Sequence, residues 1–208
     1  MSLFDLFVNQ LTSFFKTYNP SFNCLDTLQN SSYDEDKKVF LINLDSYNGM
    51  NVVSMDNVVK DGYVKLKNDP PTKHVPSSVD AFLIDSNNEW YFIEFKNRKI
   101  SKCKDNLEKK GLNNILVLID TFKIASKNMD VCFDNDNPID FIKQHCTYIV
   151  VVSEDLDSYS YEQVRSADNL NEVYTPECLE KLKYFYFKDA FVYTPEFFER
   201  RFLKKFNY

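Results

Sequence analysis

The sequence predicts an α/β (α+β) fold with a mixed central β-sheet flanked by helices. Three observations carry this. VDAFLID (Val79–Asp85) and WYFIEFK (Trp90–Lys96) are strand-like runs joined by the turn-rich SNNE. DNLEKKGLNNILVLIDTFKIA places Leu107, Ile115, Leu118, Ile119 and Phe122 at helical spacing, and Gly111 weakens that pattern without cancelling it. TYIVVVS (Thr147–Ser153) is an almost wholly apolar β-branched run that suits a strand buried on both faces.

The remaining elements follow in order. Leu3, Phe7, Leu11, Phe14 and Phe15 fall on one stripe, so Ser2–Lys16 reads as an amphipathic helix with Ser2 as its cap. The segment lacks a basic stretch before its apolar residues, which separates it from a signal peptide. Asn19–Lys38 is polar and poorly patterned. KVFLINLD (Lys38–Asp45) reads as a strand of mixed burial. NVVSM and NVVKDGYVKL, split at Asp61-Gly62, fit either a hairpin or a short helix and a strand. NDPPTKHVP (Asn68–Pro76) is a loop, because its prolines block regular structure. NDNP breaks the chain again near Asn135–Pro138, and SEDLDSYSYEQ (Ser153–Gln163) reads as a solvated acidic loop. VYTPECLE (Val173–Glu180) recurs as VYTPEFFE (Val192–Glu199), each with Thr as N-cap, Pro in the first turn and Glu at the positive end of a helix. YFYFKDAFVY between them reads as another strand.

The 208 residues suit a single domain, 1–208. Hydrophobic residues make up 44% and aromatic residues 16%, which excludes a disordered chain. No stretch is long and apolar enough to cross a membrane, so no membrane partner is expected. Cys24, Cys103, Cys132, Cys146 and Cys178 are odd in number and widely spaced, which argues against a disulfide scaffold and a zinc site. They read mostly as small core residues in a reducing, cytoplasmic setting. The net charge of −6 excludes a protein that coats nucleic acid by bulk charge, so any contact with DNA or RNA needs a local basic patch.

IEFKN (Ile93–Asn97) raises the chemical question. Strand side chains alternate, so Asp80, Phe82 and Ile84 share one face, as do Trp90, Phe92, Glu94 and Lys96. Asp80 faces Glu94 only in the register that pairs Asp85 with Glu89 and leaves Ser86-Asn87-Asn88 as the loop. Such a loop needs a left-handed residue near its end, and Asn tolerates that conformation. The turn permits this register, and a slip by one residue would separate the two carboxylates. On an exposed edge strand, Glu94 and Lys96 would be a plain ion pair contributing about 0–1 kcal/mol. Trp90, Phe92, Ile93 and Phe95 instead mark the strand as central, where charges need a partner or a purpose.

Two adjacent carboxylates repel unless a cation lies between them. Mg²⁺ (or Mn²⁺) accepts such oxygen ligands, and the Phe95 carbonyl is a natural addition to Asp80 and Glu94. A bound ion of this kind polarises a phosphoryl oxygen and lowers the pKa of its water. Lys96 is placed to orient that water or to stabilise charge building on phosphorus.

Asp80, a turn, then Glu94-Phe95-Lys96 resembles the PD-(D/E)xK nuclease superfamily, the restriction-endonuclease-like fold. That core runs helix, strand, strand with Asp, strand with ExK, helix, strand. The corresponding elements are Ser2–Lys16, a strand within 38–67, Val79–Asp85, Trp90–Lys96, Asp105–Ala125 and Thr147–Ser153. The resemblance implies a nuclease-like core over about 1–153 and a C-terminal α/β extension over about 154–208. It assigns catalysis to Asp80, Glu94 and Lys96, with metal held by Asp80, Glu94 and Phe95. The sequence departs from the pattern in having Val79 rather than proline before Asp80, and it lacks the glutamine–tyrosine motif of the RecB-like branch. An added acid from the first helix would be Asp5, with Asp34, Glu35 and Asp36 as later alternatives.

Beside this centre, Arg98, Lys99, Lys102 and Lys104 are candidate phosphate contacts on DNA or RNA; a solvated loop and helix face is the plainer reading. Trp90 and Tyr91 could stack on bases, though core packing suits them better. His74 and His145 have no partner motif. The leading expectation is a Mg-dependent endonuclease or exonuclease acting in defence or DNA processing. The alternative is a catalytically inactive nuclease-fold protein with a protein partner, such as an immunity or toxin-partner protein.

Overall fold

The computed structural model describes residues 1–42, 49–69, 71, 74–125, 133–134, 136–152, 158–170 and 172–206. The end of the expected Lys38–Asp45 strand, Cys132, Asn135 and residues 153–157 of the acidic stretch lie outside the described residues.

Helix α1 (Leu3–Lys16) opens on a reciprocal cap: the Asp5 amide donates to Ser2 Oγ, and the Ser2 amide donates to the Asp5 carboxylate. Its stripe of Phe7, Val8, Leu11, Phe14 and Phe15 is buried. Then follow β1 (Leu25–Thr27), α2 (Leu28–Ser31) and a small hairpin of β2 (Tyr33–Asp34) and β3 (Val39–Phe40). Strand β4 (Asn51–Ser54) leads into a continuous helical run of α3 (Met55–Asn57), a π-helical turn (Val58–Tyr63) and α4 (Val64–Leu66). Strands β5 (Ala81–Ile84) and β6 (Trp90–Lys96) form the central hairpin. A 3₁₀ turn (Ile100–Lys102), the long α5 (Lys104–Ala125), α6 (Pro138–His145) and β7 (Cys146–Val152) complete the middle of the chain. Then come α7 (Ser158–Asn169), α8 (Glu177–Phe185), β8 (Asp189–Tyr193), α9 (Pro195–Phe197), a π-helical turn (Phe198–Phe202) and a closing 3₁₀ turn (Leu203–Phe206).

The six-stranded sheet has the order β1-β4-β5-β6-β7-β8. Pairings from β1 through β6 are antiparallel, while β6–β7 and β7–β8 are parallel. Every residue of β7 is buried, as its apolar run requires. On one face, Phe7 of α1 meets Phe82 at 5.1 Å and Trp90 at 5.5 Å, and Trp90 meets Phe122 of α5 at 5.9 Å. On the other, Tyr91 meets Phe202 at 4.8 Å and Phe95 meets Phe198 at 6.1 Å, so the C-terminal helical turns cover that side. Trp90 and Tyr91 are therefore core residues, back to back across the sheet.

Four expectations are corrected, and one left open is resolved. The described part of Lys38–Asp45 contributes only Val39–Phe40, exposed in the small hairpin; the buried Val52 and Val53 take the place in the central sheet. Of the two readings open for NVVSM and NVVKDGYVKL, a helix and a strand is the one found: Asn51–Ser54 is β4 and NVVKDGYVKL is helical, with Val58, Val59 and Gly62 turned inward at helical spacing. Tyr184 and Phe185 end α8 rather than begin a strand, and residues 158–163 belong to α7 rather than to a loop. Of the two Thr-Pro-Glu signals, only Thr194 caps, accepting from the Phe197 amide at 3.3 Å. Thr175 instead donates its hydroxyl to the Ala190 carbonyl at 3.0 Å, because a bridge from Tyr174 to Val192 holds it against β8.

Candidate functional site

The β5–β6 hairpin adopts the register in which Asp80 faces Glu94. Ala81 pairs with Ile93 and Ile84 with Trp90, the Asp85 amide donates to the Glu89 carbonyl at 3.0 Å, and Asn88 takes φ 60° at the loop's end. Beyond Ala81 the regular ladder stops. The Asp80 amide donates to the Ile93 carbonyl at 3.1 Å, and the Phe95 amide donates to Asp80 Oδ2 at 2.6 Å. The Asp80 side chain thus replaces the backbone acceptor that Phe95 would otherwise find across the strands. A strand residue's N–H and C=O turn to the same neighbour, so the Phe95 carbonyl looks toward the same edge.

Glu94 is fully buried. Lys96 pairs with its Oε1. A third group, unforeseen in the sequence, completes the arrangement: Lys110 Nζ donates to Glu94 Oε1 at 2.8 Å and Oε2 at 2.9 Å, and lies 3.4 Å from Asp80 Oδ1. Lys110 sits on α5 between the buried Leu107 and Asn114, three residues after one and four before the other. A lysine on the inward stripe of an amphipathic helix was the available signal. Two side-chain amides hold this part of α5: Asn114 donates to the Lys110 carbonyl at 2.6 Å, and Asn113 donates to Ser77 Oγ at 3.0 Å, just upstream of Asp80.

The electrostatics follow from burial and this crowding. Burial, then the neighbouring Glu94 carboxylate, pushes the Asp80 carboxyl up to about 7 against the opposing pull of Lys110, the Phe95 amide and Lys96. Burial works against the Lys110 charge, but Glu94 and Asp80 outweigh it and hold the ammonium above the usual lysine range. Asp56, on the helical run after β4, is a further carboxylate acting on Lys110. It accepts from the Ser78 hydroxyl and from Lys60 at 2.6 Å; burial opposes its charge, yet these partners keep it below the usual carboxylate range.

The acids considered from the N-terminal region lie elsewhere in the fold's bonding. Asp5 serves the α1 cap, Asp34 accepts from the Lys37 amide at 3.0 Å, and Asp36 pairs with Arg98 at 2.9 Å. Among the described residues, no group of three or more His, Cys, Asp or Glu side chains gathers to hold a metal ion. The donors available to Mg²⁺ or Mn²⁺ are therefore the carboxylates of Asp80 and Glu94 with the Phe95 carbonyl, a hard-oxygen set of the right chemistry. That the pair attracts a cation is seen in the Lys110 ammonium seated on it.

The basic residues line two grooves that share Lys99. Arg98, Lys99 and Lys102 line a groove of about 420 Å³ together with Asp34 and Asp36. Lys99 and Lys104 line another of about 440 Å³ with Tyr159, Tyr174 and Cys178. His74 is exposed, and the His145 ring lies 4.7 Å from that of Phe141. Among the described residues, no helix is long and apolar enough to cross a membrane.

Comparison with known proteins adds no relative: no family model, curated protein or solved structure matches this chain.

Proposed function

We propose that Asp80, Glu94 and Lys96 form the phosphodiester-hydrolysing site of a metal-dependent nuclease-like protein acting on DNA or RNA. The observation that carries this reading is the meeting of a partly exposed Asp80, a fully buried Glu94 and Lys96 at the end of one hairpin. The sequence of α1, β4, β5 with Asp80 before it, β6 with Glu94 and Lys96, α5 and a parallel β7 supports it, being the order that a PD-(D/E)xK core would have.

In this reading Asp80 and Glu94 hold Mg²⁺ or Mn²⁺, joined by the Phe95 carbonyl. The ion, when bound, supplies a Lewis acid for the phosphoryl oxygen and a water of lowered pKa. The Phe95 amide fixes the Asp80 carboxylate. Lys96, anchored on Glu94, orients the attacking water and offsets charge on phosphorus. Lys99, Lys102 and Lys104 contact phosphates of the substrate, while Arg98 must first leave Asp36 to do so.

The test is cleavage of single- and double-stranded DNA and RNA with Mg²⁺ or Mn²⁺. Asp80→Ala and Glu94→Ala abolish it, and Lys96→Ala lowers it by about 10²–10³-fold, the scale of losing one stabilising donor. Cleavage that survives all three substitutions overturns the proposal. A second reading is favoured by Lys110, which occupies both Glu94 oxygens. On that reading the chain keeps the nuclease fold without activity and meets a protein partner, as an immunity or toxin-partner protein does. A folded protein that binds neither Mg²⁺ nor Mn²⁺ and cleaves nothing supports it.

A further inference from the structure

Resting on the metal-site reading above, we infer that Lys110 is an intramolecular counter-ion that a divalent cation must displace. Lys110 thereby sets the metal affinity of the Asp80–Glu94 site.

The ammonium donates to both oxygens of a fully buried carboxylate and lies beside the second carboxylate. Mg²⁺ bonds its oxygen ligands at about 2.0–2.1 Å, so an ion on these oxygens would stand within contact range of Nζ. Like charges at that separation repel strongly in a site shielded from water. Charge count points the same way. With Asp80 ionised, Asp80 and Glu94 are balanced by Lys96 and Lys110; adding a dication leaves an excess of two positive charges, which the departure of one lysine halves. Lys110 spans both Glu94 oxygens and also lies beside Asp80, so it is the group whose position the ion contests.

The backbone of Lys110 is held by Asn114, which confines the displacement to its flexible four-carbon stem. Asp56 offers the departing ammonium a receiving charge. It already acts on Lys110, and it accepts from the hydroxyl of Ser78, two residues before Asp80.

Calorimetric titration with Mn²⁺ tests this on the wild-type chain, Lys110→Met and Lys110→Arg. Lys110→Met binds more than about tenfold tighter than wild type, because a unit charge at contact distance has been removed. Lys110→Arg keeps the charge and stays at or below wild-type affinity. Equal affinity of Lys110→Met and wild type overturns the counter-ion role while leaving the metal site standing. No binding by either protein, with cooperative melting of both, overturns the counter-ion role and the metal site together. Reductive methylation of wild-type Lys110, read by peptide mass spectrometry, needs no substitution to fold: Mn²⁺ raises the labelling several-fold if the ammonium is displaced, and unchanged labelling at saturating Mn²⁺ overturns the inference.

Discussion

The Phe95 amide donates to Asp80 Oδ2 at 2.6 Å, from the backbone of one strand to the side chain of its neighbour. Asp80 therefore closes the end of the hairpin as well as offering a charge. Asp80→Asn retains an acceptor for this amide, whereas Asp80→Ala strands it. An unsatisfied buried donor costs about 1–3 kcal/mol, so denaturant unfolding finds the alanine variant less stable than the asparagine variant by that amount. Equal stabilities would remove the structural half of the role.

Gly62 faces inward from the π-helical turn. A Cβ there would lie 2.9 Å from the rings of Phe15 and Phe22, both fully packed. Helix propensity alone favours alanine by about 1 kcal/mol. Overpacking costs about 1–3 kcal/mol and wins here because aromatic rings, not flexible side-chain tips, must move. Gly62→Ala lowers the melting temperature; a rise would mean that Phe15 and Phe22 have room to yield.

Tyr63 donates its hydroxyl to Asp120 Oδ2 at 2.6 Å, tying the helical run after β4 to α5. Burial, then this bond, pushes the Tyr63 hydroxyl well above its ordinary pKa. Asp120 also holds Lys67 at 2.6 Å and is partly exposed, so water and lysine compensate for some of the loss. Tyr63→Phe destabilises by about 1 kcal/mol, measured as a shift in denaturant midpoint with unchanged slope.

The hairpin was legible because its register depends on local rules. Alternation set Asp80 and Glu94 on one face, and Asn88 supplied the left-handed loop residue. The almost wholly apolar β7 and the helical stripe of α1 were legible for the same reason, a pattern contained within one element. NVVKDGYVKL was legible only as one of two alternatives, since its valines suit a strand while burial of Gly62 against Phe15 and Phe22 is a tertiary fact. Lys110 and Asp56 escaped because their importance lies in contacts across 16 and 22 residues of chain, to Glu94 and Ser78. Thr175 carried the same Thr-Pro-Glu signal as Thr194 and did not cap, because pairing with β8 claimed it first.

Cys178 is half-buried on α8 and lines the groove with Lys99 and Lys104. Burial, then the neighbouring Cys103, pushes its thiol up to about 11. Only the thiolate reacts, so alkylation at pH 8 is about two orders of magnitude slower than for an ordinary cysteine near 8.5. Because the thiol is still mostly protonated, the rate keeps rising about tenfold per pH unit from 8 to 10. Peptide-resolved iodoacetamide labelling checks this; a plateau near pH 9 would show an unshifted thiol.

The central claim is that the Asp80–Glu94 pair receives a divalent ion, and paramagnetic line broadening by Mn²⁺ reads its position directly. In amide spectra of the wild-type chain, substoichiometric Mn²⁺ broadens Asp80, Glu94, Phe95 and Lys96 first, and Glu94→Gln abolishes that pattern. Broadening that spares these four amides, or that persists in Glu94→Gln, contradicts the account.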